Sequence, residues 1–129
     1  MILFKLQSFK ELMSDPNKPK NTTIGILGGM GPEATSFLYQ LIMKYTPAQK
    51  DQDHIPTIIY QNTQIPNRPE SIKKGEHDKI ISILTDTAKK LTAAGADLIL
   101  LPCNTVHYYH DAIQSRTNVP VYDMVDLTA

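Results

Sequence analysis

The sequence predicts an α/β fold, a parallel four-stranded sheet flanked by helices, and three observations carry that prediction. Apolar runs without polar alternation, such as Leu98-Ile-Leu-Leu101, suit strands buried on both faces of a parallel sheet. Stretches with apolar residues at three- and four-residue spacing separate these runs, giving the order β-α-β-α-β-α-β with right-handed crossovers and helices on both faces. At 129 residues, 41% hydrophobic and 20% charged, the chain has the composition of one ordinary globular domain.

Residues 1–21 stand apart as an N-terminal extension and linker. Ile2, Leu3, Leu6, Phe9 and Met13 form a helical stripe, which Asp15-Pro-Asn-Lys-Pro-Lys-Asn21 breaks with two prolines. A short amphipathic helix, a loosely docked terminus and an oligomer contact all fit this pattern. The domain proper is residues 22–129. Thr23 to Gly28 is its first strand, followed by Gly28-Gly-Met-Gly-Pro-Glu33 and a helix with Ala34, Phe37, Leu38, Leu41, Ile42 and Tyr45 on its apolar face. Pro32 fits the first helical turn, where its missing N–H costs nothing. Ile55 to Tyr60 is the second strand, Asn62 to Ser71 a polar loop, and Lys79 to Ala94 a second core helix stopped by Gly95. Ala96 to Leu101 is the third strand, residues 105 to 116 the third helix and Val119 to Met124 the fourth strand.

Composition excludes several classes of partner. Thirteen basic and thirteen acidic residues cancel, so no net field favours nucleic acid or an anionic membrane. One cysteine permits no internal disulfide and no closed zinc site, which points to a reducing, cytoplasmic compartment with no metal. No apolar run approaches the roughly 20 residues of a membrane helix, and no secretory signal is expected.

In such sheets ligands bind outside the carboxyl ends of the strands, and that edge collects Gly28 to Gly31, Asn62 to Arg68, Cys103 to Thr105, and Asp123. Glycines between a strand and a helix let the backbone approach a ligand, and free N–H groups there bind anions. Gly29-Met-Gly31-Pro-Glu-Ala34 satisfies the dinucleotide pattern G-x-G-x-x-A, but the second strand ends in Gln61-Asn-Thr63 rather than in the acid that would hold a ribose. Arg68, one of two arginines, is the best carboxylate clamp in the chain; the alternative is a surface arginine that organises its loop. Cys103 is expected at a strand's carboxyl end and, with Asn104 or Thr105 as N-cap, at a helix's amino end. There a thiol's pKa falls below its free value of about 8.5. The competing reading makes Cys103 a small buried hydrophobe.

Taken together, Gly28-Gly-Met-Gly-Pro32, Asn62 with Ile65-Pro-Asn-Arg68, and Gly95-Ala-Asp97 leading into Pro102-Cys-Asn-Thr-Val-His107 resemble the aspartate/glutamate racemase family, particularly its aspartate racemase branch, in order and spacing over residues 22 to 126. The resemblance implies a flavodoxin-like sheet forming one lobe of a two-lobed fold. It also implies cofactor-independent, two-base racemisation of a small acidic amino acid, in which one cysteine takes the Cα proton and a second delivers one to the opposite face. By similarity Cys103 is one of those two thiol bases, Asn104 and Thr105 hold the substrate carboxylate, Arg68 binds the acidic side chain, and Met30, Gly31 and Asn62 line the pocket. Donors aimed at the carboxylate fit the chemistry, because deprotonation at Cα places charge there. His107 belongs to the motif and is read as a packing or hydrogen-bonding residue with proton transfer as the alternative, whereas His110 is expected to face solvent.

The family pattern has a second lobe carrying the other cysteine, and this sequence has neither. A shortened chain, a disrupted reading frame and a half-protein completed by another polypeptide are the expectations this leaves. Bare apolar surface from a missing lobe predicts a homo-oligomer. A single-cysteine decarboxylase-like enzyme and a non-catalytic amino-acid-binding remnant are the competing functions. Nothing resembles a Schiff-base lysine site or a metal cage, so no cofactor is implied.

Overall fold

The structure is a computed structural model that describes residues 22–29, 31–66, 68–102 and 109–123, with the backbone alone for Arg68, Pro69, Ile72 and Asp123. Strands β1 (Ile24–Gly28), β2 (Thr57–Gln61), β3 (Leu98–Leu101) and β4 (Val121–Asp123) form one sheet in the order β2-β1-β3-β4. All three pairings are parallel. Helices α1 (Pro32–Tyr45), α2 (Arg68–Lys74), α3 (His77–Ala93) and α4 (His110–Ser115) fill the crossovers, and a short 3-10 turn spans Asp51–Asp53. The α/β class and the four-stranded parallel sheet expected from the sequence are what the chain forms.

The central strands explain the interior. Ile24-Gly-Ile-Leu-Gly28 and Leu98-Ile-Leu-Leu101 are buried at every position, because helices cover both faces of the sheet there. Parallel register sets Gly25 beside Ile99 and Ile26 beside Leu100, so alternate residues sort onto two faces. One face gathers Leu27, Ile99, Leu101 and Val121 with Ile80, Leu84, Ala88 and Leu91 of α3 and Ile113 of α4. The other gathers Ile24, Ile26, Leu98 and Leu100 with Leu38 and Ile42 of α1. Gly25 lets the segment between α3 and β3 close onto β1, since a Cβ there would lie 2.8 Å from the Cβ of Ala96.

Element ends follow from local chemistry. Pro32 opens α1 after an extended Gly31 (φ −101°, ψ 166°), and Pro47 drives Thr46 into the extended region (ψ 120°), which stops the helix. Gly95, at φ +110°, turns the chain out of α3. Prolines also shorten two strands relative to expectation. Pro56 and Pro120 have no N–H to give to the ladder, so β2 begins at Thr57 and β4 at Val121, while both proline carbonyls accept bonds, from Ile24 N–H and Ile99 N–H at 2.9 Å each. β3 likewise begins at Leu98 rather than Ala96.

One helix departs from the sequence reading. The polar loop expected through Ser71 gives way at Arg68 to α2, where Glu70 and Lys74 pair at 3.0 Å across one turn and Gly75 (φ +74°) ends the helix. Helix α4 spans His110–Ser115 with Tyr109 in the N-cap position, and the start expected at Asn104 or Thr105 falls among residues 103–108, which lie outside the described residues.

Candidate active site

In the order β2-β1-β3-β4 the chain leaves β1 and β3 toward opposite sides of the sheet, which opens a crevice outside their adjacent carboxyl ends. Gly28 and the glycine loop form one wall of that crevice. On the other side the chain ends β3 at Leu101 and continues through a buried Pro102, one peptide bond before Cys103.

The glycine loop is pinned in place by polar groups from the end of β2 and from α1. Gly28 carbonyl accepts from Asn62 N–H at 2.9 Å, which ties the end of β1 to the end of β2. Gly29 N–H donates to Thr35 Oγ1 at 3.1 Å, and Thr35 is 2% exposed in the first turn of α1. Gly29 holds φ +105°, and a Cβ there would overlap the backbone of Asn62; a Cβ at Gly28 would overlap the Thr35 side chain. Both positions therefore require glycine for packing alone. The N–H of Gly29 is also not free to hold an anion, contrary to the sequence reading of this loop as a cradle of free donors.

Gly31 is different. It is exposed, its φ is ordinary for any residue, and a Cβ there would meet nothing within 4 Å. It faces open space at the head of α1, whose N-cap makes no side-chain hydrogen bond, leaving first-turn N–H groups for a ligand.

Both polar atoms of the Asn62 side chain are engaged within the fold. Its Nδ2 donates to Thr87 Oγ1 at 3.0 Å, its Oδ1 accepts from Gln64 N–H at 3.0 Å, and Thr87 Oγ1 in turn donates to Ile83 carbonyl at 2.9 Å. The Asn62 side chain is thus a brace between the loop after β2 and the middle of α3. Its local turn bond is the usual one for asparagine, whereas its bond to Thr87 spans 25 residues. Thr35 and Thr87 are the functional neighbours that sequence reasoning missed. Thr87 was legible only as a polar residue on an otherwise apolar helix face, a position that calls for a buried partner.

Beyond the loop, Tyr109 is buried at 2% exposure, and its hydroxyl lies 3.2 Å from His77 Nδ1 at the first turn of α3. His110 does not simply face solvent. Its Nε2 lies 2.7 Å from Val121 carbonyl, which only accepts, so Nε2 carries the proton and the ring links α4 to β4. Met30, Cys103, Asn104, Thr105 and His107 lie outside the described residues, as does the Arg68 side chain. Arg68 places its backbone at the start of α2, so the order of elements brings it to the carboxyl edge. Among the described residues no three His, Cys, Asp or Glu side chains come together as metal ligands, and no helix is long and apolar enough to cross a membrane.

A profile of the Asp/Glu/hydantoin racemase family matches residues 27–129. Among curated proteins, the broad specificity amino-acid racemase RacX of Bacillus subtilis is 36% identical over 109 residues, covering 81% of this chain and 47% of its own length. Among solved structures, an aspartate racemase homologue from Pyrococcus horikoshii has a TM-score of 0.65 at 32% identity, covering 79% of this chain and 44% of that one. The Picrophilus torridus aspartate racemase gives a TM-score of 0.62 at 30% identity, covering 79% and 42%. The chain spans just under half the length of these relatives.

Proposed function

The chain belongs to the Asp/Glu/hydantoin racemase family, and from that premise we propose that it carries one half of a cofactor-independent amino-acid racemase site, with Cys103 as one of two thiol bases. The observation that supports this most is the adjacency of β1 and β3. It sets the pinned glycine loop and the open Gly31 across the crevice from Pro102, the residue that delivers the chain to Cys103.

In the proposed reaction the Cys103 thiolate takes the Cα proton, its S–H bond forming as the C–H bond breaks. The electron pair left behind spreads into the substrate carboxylate. A thiol on the opposite face then gives its proton to Cα, leaving the inverted amino acid and a pair of bases with exchanged protonation states. Donors at the head of α1, with Asn104 and Thr105, stabilise the carboxylate as its charge grows, which lowers the barrier rather than merely binding the ground state. Arg68 offers a planar fork to a side-chain carboxylate, which favours aspartate or glutamate. Met30 and Gly31 line the pocket, and Asn62 holds the loop that forms its floor.

One cysteine in these 129 residues leaves the second base to come from beyond them. The same count favours one alternative, a one-base enzyme that delivers a proton to a single face. Incubation with L- and D-aspartate and glutamate in D₂O, following Cα deuteration by NMR and inversion by chiral separation, tests both readings. Deuteration with inversion that disappears in Cys103→Ala is the expected result. Deuteration of one enantiomer with retention would replace two-base racemisation by the one-base reading. No exchange with any of the four substrates would remove the catalytic claim for this chain. If Cys103→Ser still binds aspartate under that outcome, an amino-acid-binding domain remains.

A further inference from the structure

The two faces of the sheet are covered unequally. On one face α3 and α4 pack against Leu27, Ile99, Leu101 and Val121. On the other, α1 lies over the two central strands alone. Four strands span roughly 19 Å while a helix with its side chains is about 10–12 Å across, so α1 cannot cover the outer strands. Register assigns Ile59 of β2 and Tyr122 of β4 to that same face, and they are 41% and 37% exposed. On the β2 side a groove of about 240 Å³ runs between α1 and the segment entering β2. Tyr39, Ile42, Met43 and Ile55 line it, with Asp51 also at its wall. Tyr39 and Met43 are large apolar side chains left open to solvent there.

We propose that residues 2–13 of this chain dock in this groove as an amphipathic helix, in cis. Four observations select that occupant. First, the chain enters the sheet at the lip of the groove, because Ile24 N–H bonds Pro56 carbonyl at 2.9 Å and Pro56 follows the lining residue Ile55. Second, the lengths agree. Residues 15–21 reach about 23 Å when extended, and a 12-residue helix is about 18 Å long, against about 21 Å for α1. Third, Ile2, Leu3, Leu6, Phe9 and Met13 fall on one side of such a helix, an apolar stripe of the kind that the groove's open side chains lack. Fourth, Lys5 borders that stripe and Lys10 lies within its Leu6–Leu3 side, both opposite in sign to Asp51 on the groove wall and to Asp53 beside it. The family match begins at residue 27, beyond this segment.

The chain has no tryptophan, so Phe9→Trp introduces a single reporter. The expected result is emission shifted to the blue, and quenching by acrylamide severalfold weaker, compared with a peptide of residues 1–21 carrying the same substitution. Met43→Asp, at an exposed position, and separately Lys5→Glu with Lys10→Glu, which leaves every described residue intact, should each move the signal toward that of the peptide. Light scattering on the same samples should show the blue shift independent of protein concentration. Emission identical to the peptide's would overturn the proposal. A shift that appears only as the mass doubles would overturn it in favour of a second copy as occupant. A shift unchanged by both sets of charge substitutions would place the segment elsewhere and overturn it as well.

Discussion

The two edges of the sheet are made by the same four strands yet are held in opposite ways. At the amino edge, Thr23 N–H donates to Asp97 Oδ2 and Asp97 N–H donates to Thr23 carbonyl, both at 2.8 Å, in an exposed clamp between the starts of β1 and β3. At the carboxyl edge the ties run through part-buried groups: Gly28 to Asn62, Gly29 to Thr35, and Asn62 to Thr87. Water can replace the partners of an exposed clamp at small cost. A buried donor that loses its partner keeps its full desolvation penalty. At the carboxyl edge Gly28, Gly29 and Asn62 are therefore preorganised, their positions fixed before any ligand arrives. Asp97 belongs to the shared sequence pattern but sits at the other end of the sheet, so its part is in the fold.

Substitutions that sharpen this contrast can be ranked. Gly29→Ala should be the most damaging, because it forces a left-handed conformation on alanine and overlaps the Asn62 backbone; a loss of about 3 kcal/mol or more in urea unfolding is expected. Thr87→Val keeps the shape but removes both the acceptor for Asn62 and the donor to Ile83, for a loss of about 1–3 kcal/mol. In a double-mutant cycle with Asn62→Ala, a coupling of about 1 kcal/mol is expected, and a value near zero would mean that the two side chains do not share a bond in solution. Asp97→Asn should cost about 1 kcal/mol or less, since its clamp is exposed. If Asp97→Asn proved more destabilising than Thr87→Val, the contrast between the edges would fail. Gly31→Ala should leave stability within about 0.5 kcal/mol, as its new methyl enters open space, while lowering amino-acid binding or Cα exchange if that space belongs to the substrate.

The site was legible to different depths at its two walls. Gly28 and Gly29 read as glycines that let the backbone approach a ligand, whereas the structure requires glycine at both for packing against Thr35 and Asn62. What the pattern of glycines could not convey is that the Gly29 N–H is already spent on Thr35. Asn62 is a pocket residue only by the family resemblance, and the strand before it puts it at the carboxyl edge. Its actual partner sits on α3, and nothing in the neighbouring sequence announces it. His110 likewise looked like a solvated residue on a short helix until β4 folded back to place a carbonyl over its ring.

The sequence by itself determined the alternation of strands and helices, the parallel sheet and the loops that meet at one edge, because apolar period, glycine and proline act over a few residues. It also determined the chemistry within reach, a single thiol among polar and cationic neighbours. Only the tertiary structure decided the order β2-β1-β3-β4, the conversion of a polar loop into α2, and the bonding partners of Asn62, Thr35 and His110. Such choices depend on groups far apart in the chain, 25 residues for Asn62 and Thr87 and 74 for Thr23 and Asp97. A buried donor takes whichever acceptor the packed strands and helices bring within reach, and that is settled only when the layers close.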